Sequence, residues 1–223
     1  MCTRENEMKW TVGHNKVIGI DEAGAGCLAG PVTVCACYLP VTVEIKGIND
    51  SKKLSAKKRE LIYKQLTTNP KVMYELVHID NQTIDKINIL QSRFLGMFIS
   101  YEKLKLIIPD IDCVLIDGNQ IPPQFNSELT KTVSKIESEL TKTETNPIVV
   151  KTIIGGDGIC PSIAAASIIA KVTRDHMMCN EYNLLYPGYG FDKHKGYGTS
   201  EHISAIKQLK PCPIHRLTFK QVS

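Results

Sequence analysis

The stretch VIGIDEAGAGCLAGPV, residues 17–32, sets two adjacent carboxylates, Asp21 and Glu22, between an apolar run and a glycine-rich turn. A turn alone accounts for the glycines, which accept backbone conformations that other residues avoid. It does not account for the charges, because neighbouring acids at the end of a strand repel one another. The pattern of β-branched run, acid and glycine recurs twice: VLIDGN (114–119) ends in Asp117-Gly118, and IVVKTIIGGDG (148–158) ends in Asp157-Gly158. In α/β sheets, loops at strand ends carry side chains chosen for chemistry. Four carboxylates brought together would raise one another's pKa values unless a cation offset their repulsion. Hard oxygen donors with no Cys or His among them suit Mg²⁺ or Mn²⁺ better than zinc. Taken singly, each Asp-Gly is an ordinary turn, and Asp175 in KVTRDH competes with Asp157 for the fourth place. Alternation along a strand sends Asp21 and Glu22 to opposite faces. Both serve one site only if the strand ends or bends between them, a break expected from Ala23-Gly24-Ala25-Gly26.

Working outward, KVIGI (16–20) and VTVCACYL (32–39) read as paired strands, and KVMYELVHI (71–79) as a third. Ser55 caps a helix through Leu61, Ile62 and Leu66 that stops before Pro70. Ile84, Ile87, Gln91, Phe94, Phe98, Tyr101 and Leu104 recur at helical spacing, predicting a helix over 83–106. A long helix is expected over 161–186, opening at Pro161, and a last short one over 200–209. Residues 1–15 are polar and expected to be loose. From 122 to 147 the composition shifts to Thr, Ser, Lys and Glu with Phe125 as its one aromatic. This segment reads as a surface excursion with a helix over 128–140. Intermixed strands and helices without repeats predict an α/β class with a mixed sheet, in one domain spanning 1–223.

The 223 residues are 43% hydrophobic and 22% charged, enough for a sizeable core. No run approaches the ~18 apolar residues of a membrane span, and the first residues, MCTRENEMKW, carry no signal segment. Eight scattered cysteines without a CxxC pair fit a reduced, cytoplasmic protein lacking structural zinc. The net charge of +4 is unevenly spread: SKKLSAKKRE holds five positive charges between Lys52 and Arg59, and KHKGYG adds Lys193 and Lys195. Such a cluster is either a solvated helix face or a footprint for phosphates.

GIDEAGAGCLAGPV resembles the opening motif of ribonuclease HII, the type 2 ribonuclease H family. DSKKLSAKKRE, IDKINILQS, VLIDGN, GDGICPSIAAASIIAKVTRD, YPGYGFDKHKGYGT and PCPIHRLTF resemble later motifs of its bacterial branch, in order from about residue 17 to 219. The resemblance implies an RNase H-like fold, a central mixed sheet flanked by helices with C-terminal helical additions. It places the family's four acids on Asp21, Glu22, Asp117 and Asp157, leaving Asp175 a supporting role. These would hold two divalent cations, Mg²⁺ or Mn²⁺. The implied activity is endonucleolytic hydrolysis of RNA in RNA/DNA hybrids and cleavage 5′ of ribonucleotides embedded in duplex DNA, leaving 3′-hydroxyl and 5′-phosphate ends.

The family's Gly-Arg-Gly loop, which reads the 2′-hydroxyl through backbone amides, falls on Gly24-Ala25-Gly26. The tyrosine beneath the sugar falls on Tyr197, with Tyr189 as competitor. Lys52 and Lys53 would hold phosphates, joined by Lys193, His194 and Lys195. The sequence departs from the pattern at Ala25, where Arg is usual, at Cys27, where Pro is usual, and in a long interval between Asp117 and Asp157. Implied partners are RNA/DNA hybrid and ribonucleotide-containing DNA duplex, for a monomer with no membrane and no protein partner. Two other readings stand beside this one: a different two-metal nuclease or nucleotidyl transferase, and a catalytically silent RNase H-like binding module. Against the silent module, concentrated negative charge beside phosphates brings no binding advantage.

Overall fold

The structure, a computed structural model, describes residues 2–126 and 148–222; the expected surface helix over 128–140 lies outside them. In chain order the first elements are α1 (Arg4–Met8), β1 (Val17–Ala23), β2 (Val32–Tyr38), α2 (Ala56–Thr68), β3 (Met73–Ile79) and α3 (Asn81–Ile107). There follow β4 (Cys113–Asp117), β5 (Val149–Ile153), α4 (Pro161–His176), α5 (Asn183–Leu185), α6 (Phe191–His194) and α7 (Ser200–Leu209). The strands form one mixed sheet of order β3-β2-β1-β4-β5. β1 and β2, and β2 and β3, pair antiparallel; β1 and β4, and β4 and β5, pair parallel. The sheet is therefore mixed, as the alternation of elements predicts.

Strand alternation divides the core into two layers. Ile18 and Ile20, with Val34 and Ala36 of β2, pack on Phe94, Met97, Tyr101 and Leu104 of α3. On the other face Cys35 and Cys37 meet Ala165, Ala166 and Ile169 of α4 and Ile62 and Leu66 of α2. Gly19 of β1 also faces α4. A Cβ there would overlap the backbone of Ser162 and Ile163, so the first turn of α4 rests directly on the central strand.

Three sequence expectations change. Residues 4–8 are a helix, and Glu7 is buried rather than part of a loose terminus. Its carboxylate is met there by Arg4 and the Ser162 amide, the partners a buried charge requires. The stripe over 83–106 is carried by two helical pieces, because Asn88 has φ +65°. Asn88 Oδ1 accepts from the Gln91 amide at 3.1 Å and so caps the second piece. The helix expected over 161–186 gives way after His176 to a π-helical turn, Met177–Tyr182. That turn buries Met178 among Ala29, Tyr189, Phe191 and Ile214, the small core of the C-terminal additions. Among the described residues no helix is long and apolar enough to cross a membrane.

Gly19→Ala is expected to cost about 1–3 kcal/mol by overpacking, read as a lower urea midpoint at unchanged slope. Gly26→Ala, whose added methyl would meet nothing within 4 Å, should leave the midpoint in place.

Candidate active site

The parallel register of β1 on β4 ends at Ile20 opposite Ile116. Beyond it β4 stops at Asp117, while β1 continues beside β2 to Ala23. The expected break between Asp21 and Glu22 is absent: they pair regularly with Cys35 and Val34. Their side chains leave opposite faces. Asp21 is hydrogen-bonded to Ser167 of α4, whose Oγ lies 3.0 Å from Ser51 Oγ. Glu22 forms an ion pair with Arg93 of α3 at 2.7 Å. What unites the two acids is the end of β4, which opens the sheet and leaves Asp117 acting electrostatically on both.

Asp117 Oδ1 accepts from the Gly156 amide at 2.7 Å. This ties it to the 3₁₀ turn Gly156–Gly158 that carries Asp157. Asp157 in turn shares a hydrogen bond with Asp50. Asp175, the alternative fourth acid, is paired with Lys171 at 2.7 Å.

The site resists its own charge. Burial, then the charges of Glu22 and Asp117, pushes Asp21 well above the usual carboxylate range. Burial also raises Glu22, despite Arg93. Burial, then Asp117 and Asp50, brings Asp157 up to about 6. Burial opposes ionisation of Asp50 as well, but the Lys52 amide, Asp157 and Lys53 hold it below its ordinary value. Glu22 Oε2 is buried with no hydrogen-bond partner among the described residues.

Clustered hard oxygens, one of them unsatisfied, fit a divalent cation by their chemistry. Among the described residues no three His, Cys, Asp or Glu close a metal cage by themselves.

Beside the acids, residues 24–31 form a loop whose carbonyls are gathered from behind. Arg174 of α4, fully buried, donates to Pro31, Lys195 and Ala29 carbonyls at 2.8, 2.9 and 3.0 Å. Arg216, also fully buried, donates to the carbonyls of Ala25 at 2.8 Å, Gly24 at 2.7 Å, and Gly30 at 3.1 and 2.9 Å. Desolvation lowers the Arg216 pKa to about 10, which leaves it cationic at neutral pH. A Cβ at Gly24, φ +89°, would strike the Arg174 side chain. With the carbonyls drawn inward, the amides of Ala25 and the exposed Gly26 find no hydrogen-bond partner among the described residues.

Tyr197 lies against this loop. It bridges Cys27, and its ring has Lys171 Nζ at 5.1 Å and the Arg174 guanidinium at 5.9 Å. A directed chain of imidazoles holds its backbone. The Cys212 amide donates to His215 Nδ1 at 2.9 Å, His215 Nε2 lies 3.0 Å from His202 Nε2, and His202 Nδ1 lies 3.0 Å from the Tyr197 carbonyl. The first bond leaves His215 protonated on Nε2, which assigns His202 its proton on Nδ1. Burial takes His202 down to about 4, so it stays neutral.

Lys52 and Lys53 are exposed on the turn after Asp50, and Lys52 acts on Glu22 and Asp157. Tyr189, the competitor of Tyr197, is buried and stacks on Phe191, with its hydroxyl on the Lys210 carbonyl at 2.6 Å. His194 is a correction. It is buried, stacks on His202, donates to the Tyr189 carbonyl and accepts from the Gly196 amide, so it has no atom left for phosphate. Lys195 Nζ is turned onto the Asp192 carbonyl, whereas Lys193 is exposed. Sequence reading passed over Asp50, Arg93, Arg174 and Arg216. None of the four carried a local signal; Arg174 shares the end of its helix with Lys171, Asp175 and His176.

The sequence matches the family model for Ribonuclease HII over residues 18–222. A Ribonuclease HII of Endomicrobium trichonymphae is 45% identical over 213 residues, covering 95% of this chain and 88% of that protein. The RNase HII of Archaeoglobus fulgidus, solved in a PCNA:RNase HII complex, superposes with a TM-score of 0.66 at 22% identity, covering 92% of this chain and 95% of that one. Bst-RNase HIII, solved in complex with Mn²⁺, superposes at 0.63 with 21% identity, covering 96% of this chain and 70% of that one.

Because the folded protein holds the Asp157 proton up to about pH 6 and the unfolded chain releases it near pH 4, metal-free stability falls as pH rises through that window. It stays lower above it. Asp157→Asn in EDTA should therefore melt about 2–4 °C above wild type at pH 7.5, an effect of about 1 kcal/mol after solvent screening. Differential scanning fluorimetry should show that gap closing towards pH 4.

Proposed function

Because the chain belongs to the ribonuclease HII family of type 2 ribonuclease H endonucleases, we propose that it hydrolyses the RNA strand of RNA/DNA hybrids and cleaves 5′ of ribonucleotides embedded in duplex DNA. The products would carry 3′-hydroxyl and 5′-phosphate ends. The observation that supports this reading is the juxtaposition of a carboxylate cluster with a loop whose Ala25 and Gly26 amides have no hydrogen-bond partner among the described residues. One binds what phosphate chemistry needs, and the other meets a sugar edge.

Asp21, Glu22, Asp117 and Asp157 would hold two divalent cations, Mg²⁺ or Mn²⁺. When bound, these supply a water of lowered pKa and neutralise charge on the phosphate and the leaving oxygen. The acids hold position and need not carry protons. Arg93 anchors one Glu22 oxygen and leaves the other for the site. The amides of the Gly24-Ala25-Gly26 loop would donate to the 2′-hydroxyl, the handle that separates ribose from deoxyribose. Tyr197 would support the sugar beside that loop. Lys52, Lys53 and Lys193 would take backbone phosphates, setting register and affinity.

Cleavage of labelled all-DNA, all-RNA, hybrid and single-ribonucleotide duplexes, with Mg²⁺, Mn²⁺ and EDTA compared, tests the reading. Hybrid and single-ribonucleotide duplexes should be cut, and only with metal. Cleavage of all-DNA duplex would favour a different two-metal nuclease, and binding without cleavage a silent module. Asp21→Asn is expected to lower kcat by at least about 100-fold while duplex binding holds within a fewfold.

Ala25 is half-buried in the loop and offers no donor beyond its amide. Ala25→Arg adds a planar multi-donor cation. It should tighten binding to a single-ribonucleotide duplex and steepen the salt dependence by about one phosphate contact, read by fluorescence anisotropy at 50–200 mM salt.

A further inference from the structure

The matched family residues begin at 18, and the helix α1 that precedes them is attached to the far side of the acid turn. The N-cap of α4, Cys160, makes no side-chain cap bond. Glu7 of α1 does that work from a distance. Its Oε1 accepts from the Ser162 amide at 3.0 Å and from the Ser162 hydroxyl, and the group is buried. Oε2 takes Arg4 Nη1 at 2.6 Å, and Arg4 Nη2 reaches the Leu39 and Pro40 carbonyls at 2.8 Å. A second tie is the Thr3 amide on the Ile159 carbonyl at 3.2 Å. α1 thus grips residues 159 and 162, directly after the turn that carries Asp157.

That grip bears on the acids because the turn has little slack. The amides of Ile159 and Cys160 both donate back to the Gly156 carbonyl, at 2.9 and 2.7 Å. The Gly156 amide donates to Asp117. The Ser162–Ile163 backbone rests on Gly19, two residues before Asp21. Moving the first turn of α4 therefore moves Asp157 relative to both Asp21 and Asp117.

We infer that Glu7 is a positioning residue, which sets the separation of Asp157 from Asp21 and Asp117 by capping α4 from outside the matched family region. The inference rests on the reading of Asp157 as a metal-holding acid. Glu7 touches neither metal nor substrate in it. A carboxylate suits that role, since it satisfies two donors at a helix N-terminus and its charge is favoured there. Groups hydrogen-bonded directly to a metal ligand typically cost about 10- to 100-fold in metal affinity when removed; Glu7 acts one step further out, through Ser162, and is expected at the low end of that range.

The test uses the full chain and two variants, Glu7→Ala and Glu7→Gln, with Mn²⁺ alone as the calorimetric probe and hybrid duplex for kinetics at 20 °C. Glu7→Ala should weaken Mn²⁺ about tenfold and lower kcat about tenfold, with KM for duplex within twofold and faster hydrogen exchange at 156–160. Glu7→Gln keeps an oxygen for Ser162 and should recover most of each. A lower melting temperature with unchanged Mn²⁺ affinity and kcat would overturn the proposal and leave Glu7 a plain structural cap. Equal losses in the two variants would overturn it as well, because charge rather than the Ser162 bonds would then be responsible. If Asp157→Asn binds Mn²⁺ as well as wild type does, the reading of the site fails instead. The exchange rates still report whether Glu7 holds the turn.

Discussion

The contact between Gly19 and the first turn of α4 is the constraint from which the site is built. A missing side chain on the central strand lets a helix backbone rest where a Cβ would otherwise stand. That seat brings the turn after β5 within reach of the ends of β1 and β4. It also lets Ser167, further along α4, meet Asp21 on the same face. On the opposite face the break in α3 at Asn88 starts a new helical piece from which Arg93 reaches Glu22. Two helices thus reach one acid each, from opposite sides of one strand. Their convergence needs no distortion of β1.

Charge is handled differently in the two halves of the site. The acids repel one another and are raised by burial, a standing cost that a cation would remove. The loop at 24–31 faces the opposite problem, backbone carbonyls withdrawn from water, and two guanidiniums answer it. Arginine suits this because it stays charged and presents several donors in a fixed plane. The partners lie 143 and 192 residues apart in sequence. Closure entropy grows only by about 0.6 kcal/mol per doubling of loop length, so such distant ties are not much costlier than near ones.

This division explains what was legible in the sequence. Acid-plus-glycine strand ends are local patterns that leave the fourth place open between Asp157 and Asp175; only the family resemblance assigns Asp21, Glu22, Asp117 and Asp157 as the set, which the fold brings to one end of the sheet. The strands and their mixed pairing followed from alternation and from the order of elements. How Asp21 and Glu22 share a site was misread, because the answer lies in where β4 stops and not in β1 itself. Asp50 has no local mark of its bond to Asp157, which lies more than a hundred residues further along the chain. Arg174 and Arg216 look like surface charges, since nothing local announces a carbonyl more than a hundred residues away. His194 sits between two lysines and looks solvated, yet stacking on His202 buries it.

The ties from Arg174 and Arg216 to the early loop have a consequence for the order in which the molecule is made. During N-to-C synthesis the four acids are all present once residue 157, in the turn after β5, has been added. The loop at 24–31 still lacks Arg174, and it lacks Arg216 for longer. Its carbonyls are unclaimed in that interval, and its amides have no preferred direction. The acids also wait on later residues, since α4 must seat on Gly19 and Ser167 must reach Asp21, but these residues precede both Arg174 and Arg216. The ordering of carbonyls in the loop at 24–31 is therefore the last of these features that the growing chain acquires.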